Sequence, residues 1–102
     1  MTTLDILRAA RAKVAVAWTQ GKFARDATGK PVGPCSTKAV CWCALGAVRA
    51  VGSGQALDDA EQALFSATRG NNGEYLGISD YNDAPGRTLE EILALYDRAI
   101  EK

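Results

Sequence analysis

The chain has 102 residues, twelve basic and twelve acidic side chains, and no histidine. That size fits one domain with a modest core. The zero formal charge supplies no global field to draw nucleic acid. Without histidine there is no Ser-His-Asp triad and no Cys-His pair, and only all-thiolate or carboxylate zinc sites remain open.

No apolar run reaches the roughly 18 residues of a membrane span, and Met1 to Asp5 does not read as a secretory leader. Three cysteines are an odd number and make no disulfide framework. A reducing, cytoplasmic setting is therefore expected, with no membrane partner and nucleic acid disfavoured.

The expected fold is mainly α, a four-helix single domain over residues 1–102 with a short β-hairpin or irregular loop after helix 1. From Thr2 to Trp18, Leu4, Leu7, Ala10, Val14, Ala17 and Trp18 recur at helical spacing, and Ile6 widens the stripe. Thr2 or Thr3 caps the start, and Gly21 reads as a stop. Arg11 lies beside the apolar stripe, which suits a snorkelling stem better than a cation in a pocket. Phe23-Ala24-Arg25 and Lys30-Pro31-Val32 flank the turn Asp26-Ala27-Thr28-Gly29, with Pro31 confining the second arm to an edge.

Ser36 to Val51 reads as a central, mostly buried helix capped by Ser36, with Val40, Cys43, Ala44, Ala47, Val48 and Val51 as its stripe. Gly46, among small residues, admits a neighbouring backbone. Gln55 to Arg69 is a third helix with a thin alanine-rich stripe, expected to be the least firmly held. Gly70 to Gly73 is a loop. One helical turn is expected near Ile78 to Tyr81, then a turn at Ala84-Pro85-Gly86. Thr88 and Glu91 form a T-x-x-E capping box opening the last helix, which carries Leu89, Ile92, Leu93, Tyr96 and Ile100.

The residues with chemistry are few. Cys41 and Cys43, two apart on the expected helix, cannot chelate one metal together, and no metal or cofactor is expected. Cys35, just ahead of the expected cap, is a candidate reactive thiol. The acidic clusters Asp58-Asp59-Glu61 and Glu90-Glu91 suit helix N-termini. The densest polar stretch is Tyr81 to Thr88. It places Asn82, Asp83 and Arg87 at a helix entrance, where an anion would be favoured. The bland alternative is a self-satisfying loop with Arg87 paired to Asp83. No phosphate-binding glycine motif is present.

Three segments together resemble a family of small, uncharacterised bacterial and phage proteins. They are Trp18 to Gly21 with Ala24 to Asp26 and Gly29 to Val32, Ala39 to Ala47 with its Trp42-Cys43-Ala44-Leu45-Gly46-Ala47 piece, and Tyr81 to Thr88 with its Asn82-Asp83-Ala84-Pro85-Gly86-Arg87-Thr88 piece, continuing through Glu91 and Asp97 to Ile100. The family commonly has cysteine where Thr19 stands and tryptophan where Tyr81 stands. The resemblance implies a phage or prophage context but no activity.

The expected function is accordingly a non-enzymatic binding protein, an accessory factor that engages or inhibits a host protein such as a defence component. Its candidate surface is the hairpin with Phe23 and Arg25. The alternative is a binder or sequestering protein for a small polar or anionic ligand, with a pocket joining Trp42, Asn82, Asp83 and Arg87.

Overall fold

A computed structural model describes residues 1–70 and 72–101. Among these residues the chain is mainly helical, with five helices and one small antiparallel sheet. In chain order they are α1 (Thr3–Val16), β1 (Ala24–Arg25), β2 (Pro31–Val32), β3 (Cys41–Trp42), α2 (Ala44–Val51), α3 (Gly54–Ala67), α4 (Ile78–Asp83) and α5 (Leu89–Ile100). No described helix is long and apolar enough to cross a membrane.

Helix α1 starts on a reciprocal cap: the Thr2 hydroxyl accepts from Asp5 N, and the Asp5 carboxylate accepts from Thr2 N. Those bonds, led by the Thr2 backbone N–H, hold the Asp5 carboxyl below the usual range. The apolar stripe Ile6, Leu7, Ala10 and Val14 is buried against α2, α3 and α5. Because α1 also touches β3, it is as central as α2. Arg11 is not a snorkelling stem alone, since its guanidinium forks onto Asp97 of α5 at 2.7 and 3.1 Å. The helix ends at Val16, two residues short of the expected Trp18, and Gly21 lies beyond it in a loop.

The hairpin forms at the expected arms, with Ala24 opposite Val32 and Arg25 opposite Pro31. Asp26 Oδ1 accepts from Thr28 N, Thr28 Oγ1 and Lys30 N, closing the turn. Gly29 supplies the positive φ of 88° that this turn requires.

The second helix departs most from expectation. It begins at Ala44, not Ser36, because Cys41–Trp42 pair with the free edge of β1 to give the strand order β2-β1-β3. A helix over residues 36–43 would leave that edge unpaired. Instead Val40 N donates to Arg25 O, Cys43 N to Phe23 O, and Trp42 N to Ala17 O. Ser36 closes a local turn by accepting from Lys38 N. The cap passes to Cys43, whose sulfur accepts from Gly46 N at 3.3 Å.

Gly46 admits a neighbouring backbone, as its small-residue setting suggests: a Cβ there would lie 2.0 Å from Phe23 O. The core is completed by Ala60, Leu64 and Ala67 of α3 and by Ile92, Leu95, Tyr96 and Ala99 of α5. The Thr88–Glu91 capping box is present.

Candidate functional site

The ambiguous stretch before the last helix folds as α4, whose Ile78 and Asn82 point inward. Asn82 is fully buried, and its amide is fully used. Its Oδ1 accepts from Trp18 Nε1 at 2.7 Å and from Ala44 N, the first N–H of α2, at 2.9 Å. Its Nδ2 donates to Thr19 O at 3.1 Å and to Asp83 Oδ1 at 2.9 Å. This residue therefore fastens α4 to the exit of α1 and the entrance of α2. Tyr96 works beside it, donating its buried hydroxyl to Ala44 O.

Two clefts flank α4. The first, about 300 Å³, is lined by Lys22, Phe23, Cys43, Ser79 and Asp83. Ser79 and Asp83 are four apart and share one face of the short helix. Asp83 Oδ1 also accepts from Gly21 N at 2.8 Å. Burial pushes the Cys43 thiol up, which keeps it protonated and weakly nucleophilic.

The second cleft, about 340 Å³, is lined by Arg69, Glu74, Tyr75, Tyr81, Arg87 and Arg98 among others. Arg87 lies over the Tyr81 ring at 3.7 Å from its centre. It donates Nε to Tyr81 O at 2.7 Å and Nη1 to Glu91 Oε2 at 2.9 Å. The Thr88 backbone N–H and then Arg87 hold the Glu91 carboxyl below its usual range. Arg98 reaches in from α5, where Nη2 donates to Ala67 O and to the Tyr81 hydroxyl. Neither Arg69 nor Arg98 has a carboxylate within ion-pair distance among the described residues.

On the rim, Tyr75 stacks on Phe65 with centroids 5.0 Å apart and planes 13° from parallel. Both rings stay exposed, at 47% and 38%, and Leu76 beside them is 47% exposed.

The structure therefore separates the residues that the sequence groups. Trp42, Asn82, Asp83 and Arg87 do not share one cavity. Trp42 sits in β3, with its Nε1 donating to Pro34 O and the Lys13 ammonium over its ring. Asn82 is interior, Asp83 lines the first cleft and Arg87 the second.

The expected Asp83–Arg87 pair does not form, because Arg87 turns to Glu91. Phe23 is 41% exposed and lies under the Arg49 guanidinium. Arg25, expected beside it on a binding surface, spends its guanidinium on Thr19 Oγ1, Gln20 O and Gly29 O. Cys35 loses its helix entrance, since α2 starts nine residues later, and its thiol donates to Arg49 O. Phe65, Arg69, Tyr75, Leu76 and Arg98 stand outside the sequence-based site. In the sequence they belong to a helix end, a loop and an amphipathic stripe, and only the fold brings them together.

The profile of a family of unknown function, DUF6197, matches residues 1–102. The chain belongs to DUF6197. No curated protein and no solved structure matches it. The DUF6197 assignment agrees with the resemblance to an uncharacterised family and carries no reaction to transfer. Arguments about what this DUF6197 chain does rest on the clefts and rims around α4.

Proposed function

We propose that this DUF6197 protein is a small, non-enzymatic binding protein that docks on another protein through the face made by Phe65, Tyr75 and Leu76. The observation that carries the reading is the exposed, stacked Phe65–Tyr75 pair beside a cleft with three arginines. Clustered exposed apolar side chains mark interaction surfaces, and aromatic residues and arginine are enriched at them. The occupant is a protein face that presents an apolar side chain next to acidic groups, which the guanidiniums complement.

The non-enzymatic reading draws support from the missing histidine and the protonated Cys43 thiol. The resemblance to bacterial and phage proteins supports the finer role of a cytoplasmic accessory factor that engages or inhibits a host protein.

Quantitative capture from bacterial host lysate tests the docking reading. A protein recovered with the wild-type chain should be lost with Tyr75→Glu and kept with Val40→Glu, a substitution at a comparably exposed position away from the face. Recovery of the same proteins by all three chains would refute it.

The second reading, a small anionic ligand, is favoured by the arginine cleft itself.

A further inference from the structure

We propose that the cleft beside α4 lined by Arg69, Arg87 and Arg98 is a binding site for a dianionic phosphate monoester. The inference rests on the small-ligand reading and is carried by the arginines and the Tyr81 hydroxyl, whereas the docking reading is carried by the exposed Phe65–Tyr75 pair.

Charge comes first. Of the three guanidiniums, Arg87 is paired with Glu91, while Arg69 and Arg98 have no carboxylate within ion-pair distance among the described residues, which leaves two positive charges unpaired beside the lining Glu74. A phosphate monoester carries that complement once it has lost its second proton, near pH 6.

Donor geometry comes second. Arg87 is held by Tyr81 O and Glu91, which leaves its Nη2 without a partner among the described residues. Arg98 spends Nε and Nη2 on Ala67 O and Tyr81, leaving Nη1. Because the Tyr81 hydroxyl accepts from Arg98, its own O–H remains free to donate. The Arg69 guanidinium makes no hydrogen bond among the described residues. Guanidinium forks suit phosphate oxygens, and the Tyr81 ring and Glu91 fix Arg87 before a ligand arrives.

Size comes third. At about 340 Å³ the cleft lies at the small end of ligand pockets. It has room for a phosphate and a compact organic group resting on Tyr75 and Leu76.

The test is isothermal titration calorimetry of the full chain with phenyl phosphate at pH 8 and pH 5, with diphenyl phosphate as a monoanionic control. Glu91, held low by the Thr88 N–H and by Arg87, stays ionised across this range. Diphenyl phosphate has no second proton, so a loss of affinity at pH 5 that the diester does not share follows the ligand. Phenyl phosphate should bind at pH 8 and weaken about tenfold or more at pH 5, the weight of one charge-assisted hydrogen bond. Diphenyl phosphate should bind no better than phenyl phosphate does at pH 5.

Arg69→Ala should cost a similar factor without lowering the melting temperature. Arg98→Lys, which keeps the charge but loses the fork, should weaken binding in a chain that still folds. A tyrosine-phosphorylated peptide titrated in parallel identifies the source. Tighter binding than phenyl phosphate places the monoester on a protein, and equal or weaker binding makes it a free metabolite. No binding at pH 8, equal affinity for the diester, or unchanged affinity in both variants would overturn the proposal and leave the Tyr75 face untouched.

Discussion

Replacing Asn82 by alanine should cost this domain a large part of its stability, although the residue touches no ligand and lies in a six-residue helix. Its amide joins four groups: Trp18 and Thr19 beyond the end of α1, Ala44 at the entrance of α2, and Asp83. Truncation strands the Ala44 N–H at the buried entrance of α2, where the residue is fully covered. An unmet buried donor costs about 1–3 kcal/mol. Trp18 is half-buried, so its indole N–H recovers part of its loss from water. The vacated amide volume adds a packing loss. Together these give about 2–4 kcal/mol, against a total of about 5–15 kcal/mol for a domain of this kind. At about 4–8 °C per kcal/mol, the melting temperature should fall by about 10–30 °C.

The assay is urea denaturation followed by circular dichroism and tryptophan fluorescence, because Trp18 reports the broken bond directly. Asn82→Asp is the companion variant. It keeps the acceptor for Trp18 and Ala44 but places a second oxygen 3.1 Å from Thr19 O and 2.9 Å from Asp83 Oδ1. That variant should be at least as unstable at pH 7 and should recover as the pH falls and its carboxyl takes a proton. A cost below about 1 kcal/mol for Asn82→Ala would refute the reasoning, because one stranded helix-entrance donor alone should exceed it.

Two further outcomes follow from the same packing. Gly46→Ala gains up to about 1 kcal/mol of helix propensity but drives a Cβ onto Phe23 O. The net result should be a loss of about 1–3 kcal/mol from overpacking, and a more stable variant in thermal melts would contradict the contact. Stability against pH should be flat between about pH 5 and pH 8 in a chain without histidine and should fall on both sides. On the acid side, Asp5, Asp26 and Glu91 have lowered folded values. Their contributions are present above the usual carboxylate range near pH 4 and are lost as pH drops through the folded values. On the alkaline side, burial raises Cys43 and Tyr96. Their contributions are complete below the ordinary thiol value near 8.5 and are lost as pH rises beyond it. Urea midpoints measured from pH 3 to pH 10 check both limbs, and a midpoint still rising at pH 10 would contradict the buried groups.

What was legible in the sequence was local. The Thr2 and Thr88 caps, most of the α1 and α5 stripes and the Asp26 turn depend on neighbours a few residues away and appear in the structure, although Leu4 is exposed, Trp18 lies beyond α1 and the buried Leu95 falls outside the expected stripe. What failed was non-local. Val40 to Trp42 carry an apolar pattern that suits a helix or a buried strand equally, and the free edge of β1, some sixteen residues earlier, decided the outcome. The polar stretch before α5 is dense in hydrogen-bonding groups, but its members point three ways. The helical twist of α4 sends Asn82 inward and Asp83 to one cleft, and Arg87 lies in the other. The Phe65–Tyr75 contact joins the end of α3 to the segment before α4, and no periodicity in either partner announces it; the loop expected over residues 70–73 includes Asn71, which lies outside the described residues.

The claim on which the functional reading turns is that the Phe65–Tyr75–Leu76 face meets another protein. Photocrosslinking in a living bacterial host tests it most directly, with a photoreactive phenylalanine analogue placed at position 75 and, separately, at position 40. The account predicts a discrete higher-mass adduct from position 75 and none from the equally exposed position 40. No adduct from position 75, or the same adduct from both positions, would contradict it.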